Sequence, residues 1–146
     1  MQLTMVRLRN YIPLQLEVYD QLERIERMRA AEQIPPMKES TGAAHTQGAG
    51  DSLERAILNR LAYQDKIEPV VNSHLDELEA IRAAIDARPD PMERTILRLR
   101  YIDMEDCKQL GWKEVARRIY GDNDERHVRA AQRLHDKATE DIPEDF

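Results

Sequence analysis

The chain has 146 residues, a formal net charge of −6, 41% hydrophobic and 34% charged residues, and only one Phe and one Trp. That length suits one domain, or a small domain with an extension, and so few aromatics with only five Gly point to helices around a modest core. The acidic balance excludes a protein that coats nucleic acid indiscriminately, and lone Cys107 excludes an internal disulfide.

Taken in order, the first element is an amphipathic helix from about Pro13, a residue tolerated at the first helical position, to about Gln33. Leu14, Val18, Leu22, Ile25 and Met28 recur at threes and fours and form its apolar stripe. Residues 1–12 either extend this helix or form a separate turn. The first segment is therefore 1–34.

Residues 35–51 read as a flexible linker: Pro35-Pro36 stops the helix, and a Ser/Thr/Gly/Ala run follows with nothing to bury. Asp51-Ser52-Leu53-Glu54 is a capping box that opens a long helix over 52–88. Its seam runs Leu53, Ile57, Leu61, Ile67, Val71, His74, Leu78, Ile81, Ile85, and Pro69 inside it implies a kink or two helices. A seam this long suits an antiparallel hairpin with the first helix, a homodimer, or both. His74 on that seam is a half-buried histidine rather than a ligand, because no second ligand stands at metal spacing.

The last domain spans 89–140. Asp90-Pro91-Met92-Glu93 starts a helix carrying Ile96, Leu97, Leu99, Tyr101 and Ile102. Residues 103–111 are a polar connection from which Leu110 tucks back onto the core, and Cys107, with no base beside it, is an ordinary thiol. Trp112, Val115, Ala116 and Ile119 give a short amphipathic helix, which Gly121 ends in the left-handed conformation. Asp122 as N-cap and Glu125 three residues later open a second helix with a narrow inward stripe of Val128, Ala131, Leu134 and Ala138. Two helices across a tight break, the second with a cationic outer face on an acidic protein, is a helix-turn-helix pattern. Residues 141–146 form an acidic tail, expected to be solvated and frayed.

The ordered set ILRLRYI (96–102), WKEVARRI (112–119) and QRLHDKA (132–138), behind two long helices and a linker, resembles the phage ArpU/RinA-like late-gene regulators. Their helix-turn-helix is similar to region 4 of bacterial sigma factors. The resemblance implies an all-α fold: long N-terminal helices, as a hairpin or coiled-coil-like pair, then a C-terminal helix-turn-helix domain. It also implies a sequence-specific transcriptional regulator of phage or prophage genes that binds double-stranded DNA, with host RNA polymerase as a further candidate partner. By carry-over Trp112, Val115, Ala116, Ile119 and Leu134 are core, and Arg126, His127, Arg129, Gln132 and Arg133 are the recognition candidates. Either Val128 or Ala131 fills the family's core valine position.

Lys113 joins the recognition candidates as a phosphate contact. Two alternatives stand beside this reading: a small-terminase-type DNA-packaging subunit, and an acidic helical protein-protein adaptor of anti-sigma type. With no phosphate loop, activated nucleophile or carboxylate pair, no enzyme, cofactor or metal is expected. Neither a membrane-spanning run nor a signal-peptide core is visible, so the chain is expected in the cytoplasm of a bacterial host.

Overall fold

A computed structural model describes residues 2–33 and 46–145. The chain is all-α: α1 (Met5–Gln33), α2 (Thr46–Asp86), α3 (Pro91–Leu97), α4 (Trp112–Tyr120) and α5 (Glu125–Thr139) carry it. A π-helical turn (Arg98–Ile102) continues α3, and a two-stranded antiparallel hairpin, β1 (Met104–Glu105) and β2 (Lys108–Gln109), follows it. No described helix is long and apolar enough to cross a membrane.

The chain divides into two compact units. The larger comprises Met1–Leu16 and Leu75–Phe146. Its core gathers Leu8, Tyr11 and Ile12 from the start of α1, and Leu78, Ile81 and Ile85 from the end of α2. Ile96, Leu97, Leu99, Tyr101, Leu110, Val115, Ala116, Ala131, Ala138 and Ile142 complete it. Each fully buried Leu or Ile contributes roughly 1.5–3 kcal/mol of transfer free energy. Polar pairs frame this core. Arg7 Nε donates to Glu77 Oε2 at 2.8 Å and holds that carboxyl below its usual range, and Arg82 Nη1 meets the Tyr11 hydroxyl at 3.0 Å.

The second unit, Glu17–His74, pairs the rest of α1 with the greater part of α2. Among the described residues it buries little: Val18, Gln21, Ile25 and Val71. Its main polar tie is Arg60 Nε to Glu32 Oε2 at 2.6 Å, with both side chains largely covered.

Several expectations change here. α1 begins at Met5, so residues 5–12 extend the helix, one of the two alternatives left open, and Pro13 lies exposed inside it rather than at its first position. The start is set by Thr4, whose Oγ1 accepts from Arg7 N at 3.1 Å, and by the C-terminal tail. The carbonyls of Pro143 and Glu144 accept from Met5 N and Val6 N at 2.8 and 3.0 Å, so the first amides of α1 are all satisfied. The tail is therefore docked rather than frayed, with Ile142 buried and Arg9 paired to Glu144.

α2 begins at Thr46, inside the stretch assigned to the linker, so the capping box at 51–54 lies within a helix already under way. The helix continues through Pro69 as one element. The rest of the linker assignment, 35–45, lies outside the described residues. On α1, Gln21 is buried where Leu22 had been placed, and Leu22 is 43% exposed. His74 is half-buried, as expected.

The polar connection after Ile102 holds the hairpin. Asp106 (φ 54) and Cys107 (φ 62) both adopt the left-handed conformation, which a two-residue hairpin turn of type I′ requires. Such turns favour Asn-Gly or Asp-Gly; Asp-Cys gives no such signal in the sequence. Leu110, just beyond, is buried as expected.

Candidate nucleic-acid interface

The carboxyl-terminal residues make a three-helix unit in which α5 packs on both α3 and α4. Asp90 caps α3 through Oδ1 to Met92 N at 2.9 Å. The π-helical turn then brings Leu99 and Tyr101 inward, closing with Asp103 N to Arg98 O at 2.9 Å.

α4 buries Val115 and Ala116, with Trp112 and Ile119 half-buried beside them. It ends at Gly121, φ 92, whose amide reaches Arg117 O at 2.9 Å. A β-carbon at that φ would be strained although space is open around it, so the glycine is there for its backbone and not for packing.

The cap of α5 is Asp124, not Asp122: Asp124 Oδ1 accepts from His127 N at 3.0 Å. Asp122 instead braces the turn. It accepts from Asp124 N at 3.2 Å and pairs with the ring Nδ1 of His127. That ring stacks on Tyr120 with centroids 5.0 Å apart. The His127 bond and the Asp124 amide hold the Asp122 carboxyl below its usual range. Asp122, Asp124 and His127 place one ligand atom each within 4.8 Å of one another, but these atoms are engaged in bracing the turn.

Ala131, fully buried, fills the core position on α5, and Val128 is half-buried one turn earlier. This fixes the helix rotation. Arg126, Arg129, Arg133 and Lys137, spaced by three, four and four, occupy the face opposite Ala131 and Ala138, and all are exposed.

Of the recognition candidates, Arg126, Arg129 and Arg133 therefore share one outward face. His127 does not: it turns into the break between the helices, half-buried. Gln132 lies half-buried on the flank. The difference arises because the cap lies two residues later than the sequence suggested, so His127 follows it directly enough to fold back on Tyr120. Lys113 is exposed near the start of α4. Lys137 is the position that sequence reasoning did not nominate, and its spacing four residues beyond Arg133 was the available signal.

Not every cation is equally available. Glu114 takes Arg117 Nε at 2.9 Å and Arg118 Nε at 3.0 Å, and these two hydrogen bonds pull its carboxyl down to about 2. Arg129 pairs with Glu125, and Arg126 lies 3.9 Å from Asp124. Among the described residues, no carboxylate lies within 4 Å of Lys113, Arg133 or Lys137. Residues 112–139 carry seven Lys/Arg against five Asp/Glu, two net positive charges on a chain of −6.

Arg88 anchors the end of α5. Its Nη2 donates to Ala138 O at 2.9 Å and Asp141 Oδ1 at 2.8 Å, and approaches Glu93 Oε2 at 3.4 Å. The Arg88 bond lowers the Asp141 carboxyl below its ordinary value. Comparison with known proteins brings no relative: no family model, curated protein or solved structure matches the chain.

Proposed function

We propose that this protein is a sequence-specific DNA-binding regulator, of the kind implied by its resemblance to the ArpU/RinA-like late-gene regulators. The observation that carries the reading is the outward face of α5: three arginines and a lysine on one side of a helix anchored by Ala131 and Ala138 and joined to α4 by a four-residue break. A helix so presented fits the major groove, where Arg129 can pair in a fork with guanine, while Lys113 and Arg133 meet phosphates. The exposed ion pair of Arg129 with Glu125 is worth little in solvent and yields readily to a base edge. His127 and Asp122 set the turn and do not read DNA.

The test is a titration of wild type, Arg129→Ala and Lys113→Ala against a duplex from the gene's own flanking region at two salt concentrations. Arg129→Ala costs roughly 1–3 kcal/mol on the cognate site and relaxes its preference, whereas Lys113→Ala weakens all duplexes evenly and lowers the salt slope by about one. Weak, equal and salt-insensitive binding by all three proteins excludes this function.

The protein acts in this reading as a homo-oligomer, most simply a two-fold dimer. The support is apolar surface in the Glu17–His74 unit: Leu58 is 58% exposed, and Leu53 and Leu61 are 43% exposed. A second copy covers it at lowest cost, since a two-fold interface needs only one self-complementary patch.

A further inference from the structure

Within the larger unit, the start of α1, the π-helical turn, the hairpin, the first residue of α4 and His135 of α5 line an open cleft of about 540 Å³. That is a size ordinary for small-molecule sites. Leu8 and Ile12 give it an apolar floor, and both are buried. Three rings stand along one wall. Tyr101 and Trp112 flank His135 with centroids 5.6 and 5.2 Å from it, and the Tyr101 hydroxyl meets His135 Nε2 at 2.6 Å.

The charges in this cleft are one-sided. Arg9, Arg100 and Lys108 line it, and no Asp or Glu does, in a chain whose carboxylates outnumber its Lys and Arg by 28 to 22. Arg9 is already paired with Glu144. Arg100 is half-buried, lies 4.3 Å from the Trp112 ring centroid and donates to Leu110 O at 2.6 Å. Burial makes its charge harder to hold, and among the described residues no carboxylate within 4 Å compensates. Lys108, exposed on β2 opposite Glu105 of β1, likewise has no carboxylate within 4 Å among the described residues. A half-buried guanidinium and an exposed ammonium, neither with a carboxylate within 4 Å among the described residues, stand beside an aromatic wall, an arrangement that suits an anion.

We propose that this cleft binds a small aromatic anion, whose planar ring lies against Trp112 and the apolar floor and whose carboxylate or phosphate meets Lys108 and Arg100. The ring gains from stacking and from burial on Leu8 and Ile12; the anion gains from two donors, one of them partly shielded from water. Either half alone forfeits the other's contribution. Trp112 opens α4 and His135 lies on α5, so an occupant touches both helices of the candidate DNA-binding unit. The inference rests on the cleft and not on DNA binding.

Trp112 is the chain's single tryptophan, so intrinsic fluorescence of the intact protein reads this cleft directly. Adenosine monophosphate and benzoate serve as probes of the two sources of such an anion, with adenosine and inorganic phosphate as the charge-free and ring-free controls, all in the absence of DNA. A saturable change is expected with at least one anion, half-complete below about 1 mM, and about tenfold weaker for the controls. Response to adenosine monophosphate alone assigns a nucleotide, response to benzoate alone an aryl carboxylate, and response to both the shared class. Lys108→Ala weakens the response about tenfold while leaving the melting temperature unchanged, and Lys108→Glu weakens it further. No saturable change with either anion overturns the proposal, as does equal response to inorganic phosphate or a response indifferent to both Lys108 variants.

Discussion

The two halves of α2 carry the same apolar rhythm and meet different fates. From Leu78 to Ile85 the seam is buried: Leu78, Ile81 and Ile85 lie between 0 and 3% exposed. From Leu53 to Leu61 it stands open, with Leu53 and Leu61 at 43% and Ile57 only half-buried. Periodicity selects which face of a helix is available for burial. It does not supply the partner. In the larger unit the partners are the start of α1 and the C-terminal helices, whereas among the described residues the smaller unit offers the remainder of α1, whose own stripe is short.

The largest expected effect follows from that contrast. Ile81→Ala removes a fully buried side chain and costs about 2–5 kcal/mol, while Leu58→Ala, at a site mostly in water, stays within about 0.5 kcal/mol for a monomer. Denaturant unfolding of both variants checks the difference. A large cost at Leu58 that vanishes on dilution places a second copy on that face.

Next comes Arg88→Ala. It strips the Ala138 carbonyl and the Asp141 carboxylate of their donor at the end of α5 and costs about 1.5–3 kcal/mol. Thermal melting reads the loss, and amide exchange in α5 should accelerate with it. An unchanged melting temperature would show that the docked tail holds without this anchor.

Cys107→Gly acts in the opposite direction. Because Cys107 sits at φ 62, glycine relieves a backbone conformation unfavourable to side chains, and a gain of about 0.5–1 kcal/mol is expected despite glycine's greater freedom when unfolded. A loss on substitution would mean that the thiol makes contacts outweighing its strain.

The smallest effect is an acid one. Glu114 has its carboxyl depressed to about 2 by Arg117 and Arg118, against an ordinary 4.5. A depressed acid stabilises the fold above its unfolded value and loses that contribution as pH falls through the folded one. The contribution of Glu114 therefore disappears between about pH 4.5 and 2, and Glu114→Gln should flatten the stability curve in that window. Since the group is exposed, the change is small, and carboxyl chemical shifts followed through the titration are the sharper measurement.

Local chemistry alone was enough to specify the helical character of the apolar segments, the Gly121 stop, the Asp90 cap, the inward Leu110 and the cationic side of α5, because each rests on a residue's own backbone preference or on spacing within one helix. The tertiary structure decided what depended on distant partners. Pro143 and Glu144 set the start of α1 through their carbonyls, which no pattern around Met5 announces. The hairpin at Asp106-Cys107 forms without the usual turn residues, because its flanks are held by the π-helical turn and by buried Leu110. His127 leaves the outward face because Asp122 and Tyr120 capture it from across the break. The cleft beside Trp112 is assembled from three stretches far apart in sequence, so its one-sided charge exists only once the chain has folded.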